Sequence, residues 1–265
     1  MSRKFRAGQF AVRVVTASLM LTATAHAQQR MVTAKVTNLA RTNSISFAPL
    51  HVGFHKGTFD PFNIGAVAGA AIISVAEGGS GGQWQSDFAA ADPTATRGTI
   101  GGLLLPGATA SMNFMVNTAL NPFFSFAGMV VPSNDFFIGN DSPIRLFDGS
   151  GNILINTIFQ TTNQIWDAGS EIFDPAAAAF VGNNDLRTPQ NSVVAFNFAE
   201  LAGFNGLTTG ANYVFNSQLT AGQNVYRIDF TSVPVSTVPE PGTLALLSSA
   251  LIIVACASRR RRAQG

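Results

Sequence analysis

Three acidic side chains in turn-rich segments are the residues of this chain whose types and spacing could do chemistry. Asp135 follows a long apolar stretch, and Asp167 and Glu171 bracket an Ala-Gly turn. Two carboxylates and an intervening carbonyl can point into one concavity, and Ca²⁺ prefers about six to eight such oxygen ligands. Because no basic residue lies nearby in the sequence, repulsion among these acids favours a bound cation. The pattern predicts a calcium site at Asp135, Asp167 and Glu171, with Asn134 and Asp141 as weaker candidates. The alternative is that these acids are solvated loop residues and turn caps.

Enzyme chemistry is not indicated by the remaining reactive residues. His51 and His55 are four residues apart, but in an extended segment they would lie about 13 Å apart, which disfavours a shared metal ion. The chain has no G-x-S-x-G nucleophile motif, and its single cysteine, Cys256, lies in a C-terminal apolar run. Pairs of Asp and Glu could hydrolyse a glycoside, yet nothing in the sequence assigns one as acid and another as nucleophile. We therefore predict that the protein is not an enzyme.

Short strands must position the acidic residues, because the segment 28–237 alternates apolar runs with turns. The run 31–38 alternates like a half-buried strand, and 123–131 (FFSFAGMVV) is typical of a central strand. Further strands are predicted at 44–54, 108–117, 144–147, 153–158, 193–198 and 224–231. A helix is predicted at 66–77 and a helical turn at 174–180, whereas 78–98 and 199–222 are predicted to be loops. Trp84 would then be a loop residue that contacts a ligand or anchors the loop half-buried. The sequence predicts an all-β, antiparallel β-sandwich of about eight strands with one or two short helices.

A resemblance to the spondin N-terminal domain agrees with this fold. It rests on two segments, 126–139 (FAGMVVPSNDFFIG) and 166–171 (WDAGSE), with support from 55–60 (HKGTFD), 105–107 (LPG) and 226–230 (YRIDF). The similarity spans about residues 31–232 and is strongest for bacterial members that lack cysteines. It implies a C2-like β-sandwich with a calcium ion held by loops at one end, at Asp135, Asp167 and Glu171. The chain departs from the family pattern at Glu171, where many members have Asp, and at Ser170, where they have Thr.

The C-terminus carries a tripartite pattern. The motif Pro239-Glu240-Pro241 is followed by an apolar run at 243–257 and by arginines at 259–262. A helix over the apolar run would be about 22 Å long, against about 30 Å of membrane hydrocarbon, so it is a short anchor. The arginines favour the cytoplasmic side of the membrane. The pattern resembles the PEP-CTERM sorting signal, which exosortase processes in Gram-negative bacteria. The alternative is an ordinary tail anchor without processing.

The N-terminus has the pattern of a secretory signal peptide. Arg3, Lys4 and Arg6 form a positive region, an apolar stretch follows from Val14, and the A-x-A site at Ala25 and Ala27 favours cleavage after residue 27 by signal peptidase. The predicted organisation is therefore a signal peptide at 1–27, a sandwich domain at 28–237 and a sorting segment at 238–265. A signal helix and a membrane helix would flank the sandwich.

The basic character of the whole chain comes from its two ends. The chain has 16 Lys and Arg residues and 14 Asp and Glu residues, and eight of the basic residues lie in the terminal segments. The stretch 28–238 keeps 13 acidic residues and a net charge of about −5. The segment contains no basic stripe with interleaved aromatic residues, so we do not expect it to bind nucleic acid.

The combined patterns predict an exported binding or adhesion protein. We expect transient anchoring in the inner membrane, then delivery to the cell surface or extracellular matrix of a Gram-negative bacterium. Its partners there would be extracellular polysaccharide or matrix proteins. Two alternatives stay open, namely a secreted carbohydrate-active hydrolase that acts on exopolysaccharide and a structural matrix protein that self-associates.

Overall fold

Two antiparallel sheets form the framework of the computed structural model, which describes residues 29–235. The smaller sheet has the strand order β5 (Thr109–Asn117), β1 (Gln29–Asn38), β12 (Asn224–Pro234) and β9 (Thr157–Thr161). The larger sheet has the order β11 (Ala195–Phe196), β10 (Trp166–Asp167), β7 (Phe136–Gly139), β6 (Phe123–Val131), β3 (Leu50–His55) and β4 (Thr96–Ile100). Two short strands, β2 (Ser46–Phe47) and β8 (Ile144–Arg145), also pair with β6.

The structure confirms the prediction of a mostly β, antiparallel architecture. It describes twelve strands rather than about eight, because strands of two residues leave no periodic pattern in a sequence. The strand predicted at 123–131 is confirmed to the residue, whereas the strand predicted at 153–158 lies at Thr157–Thr161. The strand predicted at 193–198 is limited to Ala195–Phe196.

The predicted helix at 66–77 forms as α1 (Ala70–Gly78), one turn shorter at its start. The prediction of a loop at 78–98 is wrong, because this segment contains α2 (Gly82–Ala91) and β4. The predicted loop at 199–222 begins inside a 3₁₀ helix, Phe198–Phe204. The helical turn predicted at 174–180 is present as the 3₁₀ helix Pro175–Ala177.

Strand β6 separates two apolar layers. Its side chains from Phe124 onward are buried, because one face packs on the smaller sheet and the other faces the helices. Phe124 and Phe126 belong to the cluster between the sheets, while Ala127 belongs to the cluster that contains α1 and α2. A strand covered on both faces reads as a continuous apolar run, which explains why its sequence predicted it so well.

Helix α2 packs on β3 through aromatic rings and small residues. Trp84 and Phe88 are four residues apart, share one face of the helix and are both fully buried. A Cβ on Gly53 of β3 would lie 2.2 Å from the Phe88 ring, and one on Gly81 would lie 2.1 Å from the His51 ring. These two glycines therefore allow the close approach of strand and helix. The prediction that Trp84 is a loop residue, which contacts a ligand or anchors the loop half-buried, is wrong.

The compact unit that carries this fold is Gln28–Pro234. None of the helices within residues 29–235 is long and apolar enough to span a membrane. The predicted signal helix with its cleavage residues Ala25 and Ala27, and the predicted membrane helix at 243–257, lie outside the described residues, as do Pro239, Glu240 and Pro241.

Truncation of Trp84 tests the packing of α2. Trp84→Ala should lower the free energy of unfolding by about 3–5 kcal/mol, because it leaves a large cavity beside Phe59 and Phe88. The matched control, Leu154→Ala, removes a side chain that is 55% exposed and should cost less than about 0.5 kcal/mol. Urea denaturation of both variants measures the difference. A cost below about 1 kcal/mol for Trp84→Ala would contradict the buried position of the ring.

Candidate functional site

Strand register brings two of the predicted carboxylates to the β11–β10–β7 edge of the larger sheet. Asp167 of β10 pairs with Phe136 of β7 on one side and with Ala195 of β11 on the other. Asp135 precedes Phe136 directly, and its backbone carbonyl accepts a hydrogen bond from the Ala168 amide at 3.1 Å. Asp135, Asp167 and the turn that follows β10 therefore meet at one place in the fold.

The Asp135 carboxylate fixes this turn. Its Oδ2 accepts hydrogen bonds from the Ser170 amide at 2.7 Å, the Ser170 hydroxyl at 3.1 Å and the Glu171 amide at 3.0 Å. The side chain is buried, and burial raises the pKa of Asp135 to about 6, with a further contribution from the charge of Asp167. Three donors at one oxygen thus hold residues 170–171 in place, although the carboxylate pays a desolvation penalty.

Asp167 closes the turn from the other side. Its Oδ1 accepts a hydrogen bond from the Gly169 amide at 2.7 Å. Gly169 has φ +67°, and a Cβ there would lie 2.8 Å from the Ser192 backbone, so only glycine suits this position. Burial raises the pKa of Asp167, and the charge of Glu200 raises it further. Asp167 is therefore a second carboxyl group, half-buried, whose pKa is raised.

Glu171 is the third predicted carboxylate, and its environment differs from the prediction. Its side chain is 3% exposed, and Arg187 Nη1 lies 3.2 Å from Oε1. Both carboxylate oxygens lack a well-aligned hydrogen bond from the donors of the described residues. Burial raises the pKa of Glu171 to about 7, since the effect of Arg187 is opposed by the charges of Glu77 and Asp135. A basic partner therefore exists, but it lies 16 positions away in the sequence and leaves the carboxylate only partly compensated.

Arg187 links this site to helix α1. Its Nη2 donates a hydrogen bond to the Glu77 backbone carbonyl at 2.7 Å, and its Nη1 lies 3.7 Å from the Glu77 carboxylate. Glu77 lies in the last turn of α1, where carbonyl groups lack helical partners and attract a cation. One guanidinium therefore shares its charge between two carboxylates and a helix end.

The acidic residues open into a cleft of about 270 Å³. Asp167, Glu171 and Glu200 line it, together with neutral oxygen donors on Gln190 and Asn197. Glu200 was not among the predicted site residues, because only long-range folding brings it to the cleft. We call this feature the acidic cleft. Phe173, Val193 and Phe196 form its apolar rim.

The two weaker candidates do not line the acidic cleft. Asn134 bonds to the backbone of Asp174, accepting from its amide at 3.1 Å and donating to its carbonyl at 3.1 Å. Asp141 lies elsewhere, where its Oδ1 accepts a hydrogen bond from the Ile64 amide at 3.0 Å. Burial raises the pKa of the nearby Asp60, and the charge of Asp141 raises it further. Asn134 therefore supports the neighbouring loop, and Asp141 caps a separate one.

Calcium is compatible with this donor set in chemistry and charge. All the groups are oxygen donors, and the buried oxygens of Glu171 are not satisfied by hydrogen bonds. Within residues 29–235, no three His, Cys, Asp or Glu side chains are grouped closely enough to hold a metal ion. A calcium ion in the cleft would therefore have at most two carboxylate ligands, and its other ligands would be amide oxygens, backbone carbonyls or water.

Comparison with known protein families identifies one motif, at the C-terminus. The family model of the PEP-CTERM protein-sorting motif matches residues 237–262. The match confirms the sorting motif that the sequence indicated, and it points to an exported protein sorted by exosortase. No curated protein matches the chain. The resemblance of the sandwich to the spondin N-terminal domain stays a prediction.

Replacement of Asp135 tests its role in the turn. Asp135→Ala should lower the free energy of unfolding by about 2–4 kcal/mol, because three buried donors lose their acceptor. Asp135→Asn keeps an acceptor oxygen and should cost less than about 1 kcal/mol. Urea denaturation in the presence of chelator compares the two variants. Equal costs for alanine and asparagine would contradict the proposed hydrogen bonds.

The raised pKa values predict an unusual pH dependence. Carboxyl groups with pKa values of about 6 in Asp135 and about 7 in Glu171 bind protons more readily in the folded chain than in the unfolded chain. Their stabilising contribution is complete below the unfolded pKa values and is lost as the pH rises through the folded ones. Without metal, these two groups should therefore add about 4 kcal/mol of stability between pH 8 and pH 5, and the pKa of His55, which burial lowers to about 4, should offset about 2 kcal/mol of that gain. Urea denaturation with chelator measures this change, and a lower stability at pH 5 would contradict it.

Proposed function

We propose that the protein is an exported, non-enzymatic binding protein of the cell surface or extracellular matrix, in which the acidic cleft holds a calcium ion. The observation that carries the proposal is that two buried carboxyl groups, Asp135 and Glu171, and the half-buried Asp167 lie together at one sheet edge with raised pKa values. The PEP-CTERM motif supports export, since it directs a chain to exosortase. The resemblance to the spondin N-terminal domain supports the calcium ion and the binding role.

The residues of the acidic cleft would have different roles in binding the ion. Asp167 and Glu171 would offer carboxylate oxygens, and Glu200 would add to the negative charge of the same cleft. Asp135 would support the ion indirectly, because its Oδ2 accepts three hydrogen bonds from the turn and so holds residues 170–171 in place. The ion would supply the positive charge that Arg187 provides only in part.

Calcium would suit this protein because the exported domain has no disulfide. The single cysteine of the chain is Cys256, which lies in the apolar run of the sorting segment. An extracellular domain without cross-links depends on its core and on bound ligands for stability. An ion bound by both the turn after β10 and the segment around Glu200 would stabilise the loops that face solvent. These loops would bind extracellular polysaccharide or matrix proteins.

A secreted glycan hydrolase is the second candidate function. The observation that favours it is the pKa of Glu171, which burial raises to about 7, because a general acid needs a carboxyl group that stays protonated near neutral pH. The Arg187 contact at 3.2 Å works against that role, since it favours the ionised form. Release of reducing ends from exopolysaccharide, lost in Glu171→Gln, would establish the hydrolase and overturn the binding role.

Calcium should raise the melting temperature of the processed protein. A ligand that binds only the folded state adds about 2.7 kcal/mol at a hundredfold excess over its dissociation constant. The increase over chelator should be largely lost in Asp167→Asn. The matched control is Asp148→Asn, which removes a carboxylate from the exposed turn at 148–152, and it should keep the full increase. Differential scanning calorimetry measures all three proteins.

Two results would reject the calcium site. One is a melting temperature that is the same in calcium and in chelator for the wild-type protein. The other is a calcium-dependent increase that survives in Asp167→Asn but disappears in Asp148→Asn, which would move the ion to the 148–152 turn. Magnesium serves as the ionic control, because its smaller size and strict octahedral geometry suit a flexible loop site poorly.

A further inference from the structure

An apolar cavity of about 250 Å³ lies away from the acidic cleft. Its walls come from β2, from the end of β6 and from four loops, and they include Ala48, Leu103, Val131, Phe180 and Ala211. A smaller engineered cavity, of about 150 Å³, is large enough to bind benzene. This cavity could therefore hold one substituted ring or a small fused ring system.

The polar groups of the cavity are neutral. Tyr213 donates its hydroxyl proton to the Ser44 carbonyl at 2.8 Å, and its oxygen lies 2.8 Å from Ser46 Oγ. Thr209 adds a third hydroxyl, which accepts from the Tyr213 amide at 3.4 Å. No charged side chain of residues 29–235 lines the cavity. A charged ligand would lose its hydration without compensation, whereas a neutral ring with one polar group would not.

The mouth of the cavity carries an aromatic side chain on an unfavourable backbone. Phe180 has φ +63°, a conformation that costs free energy in a residue with a bulky side chain. Its carbonyl accepts a hydrogen bond from the Gly210 amide at 2.9 Å, which connects two of the loops that line the cavity. The Phe180 side chain is nonetheless 55% exposed, and Leu103 beside the same cavity is 50% exposed. Two large apolar side chains are thus held at the opening of an apolar cavity, where they gain little by burial.

We propose that this cavity is a binding site for a neutral aromatic ring. Its volume and apolar walls would accept the ring, its hydroxyl groups would tolerate a single polar substituent, and Phe180 and Leu103 would cover the bound ring at the mouth. The ring could belong to a free small molecule or to a side chain of a partner protein. The site goes beyond the proposed function and does not depend on calcium.

Ligand-observed NMR on the processed protein, purified without detergent from an exosortase-carrying host, tests the site. The probes are indole, N-acetyl-tryptophan amide and benzoate. Indole should bind, and benzoate should not, because the cavity offers no positive charge. Binding of N-acetyl-tryptophan amide as tight as that of indole would indicate a partner side chain as the natural occupant. Binding of indole alone would indicate a free small molecule.

Three variants locate the bound ring. Ala211→Leu fills the cavity from its rim and should weaken indole binding at least tenfold. The control Ala119→Leu makes the same change at an exposed position outside the cavity and should leave binding within twofold. Phe180→Gly should weaken binding at least threefold while the melting temperature stays equal or rises, because glycine relieves the backbone.

The proposal is overturned if indole does not bind the wild-type protein, or if Ala211→Leu binds it as well as Ala119→Leu does. A loss of binding in Phe180→Gly that accompanies a large drop in melting temperature would also count against it, since the residue would then be structural. Calcium and chelator are compared in every titration. Failure of the calcium site would leave indole binding unchanged, so the two proposals fail separately.

Discussion

The concentration of negative charge at one sheet edge is the constraint on which the rest of this structure depends. Asp135, Asp167, Glu171 and Glu200 are brought together by strand pairing and by a turn, and Arg187 compensates this charge only in part. Burial raises the pKa values of Asp135, Asp167 and Glu171, and neighbouring negative charges raise them further. The proposed calcium ion would offset this negative charge, because calcium binds oxygen donors of this kind.

The larger sheet fixes the backbone of the residues around the acidic cleft. Strand β6 is covered on both faces, β7 pairs with β6, and β10 pairs with β7. The sheet therefore fixes the backbone of Asp135 and Asp167. Gly169 then allows a turn tight enough to direct two backbone amides at Asp135. Helix α1 contributes through Arg187, which contacts both its last turn and Glu171. The sheet and the helix therefore both position the site.

Sequence patterns predicted those parts of the fold in which a single local signal dominates. The strand at 123–131 was predicted to the residue because burial on both faces makes it continuously apolar. Helix α2 was missed because its flanking glycines and serines suggested a loop, although the spacing of Trp84 and Phe88 carried a helical signal. Glu200 and Arg187 could not be predicted, since they reach the cleft only through long-range folding. Repulsion between the acids contributes to the raised pKa values of Asp135 and Glu171, as the sequence suggested. The prediction overlooked Arg187, which is distant in the sequence.

Proton release on calcium binding tests the account most directly. Calcium needs ionised carboxylates, and at pH 6.5 the carboxyl groups of Asp135 and Glu171 are partly protonated, given pKa values of about 6 and about 7. Isothermal titration calorimetry in two buffers with different ionisation enthalpies counts the protons that leave. The account predicts release of about one proton per bound ion at pH 6.5, and almost none at pH 8.5. Binding without proton release at pH 6.5, or no binding heat in either buffer, would contradict the claim that these buried carboxyl groups form a cation site.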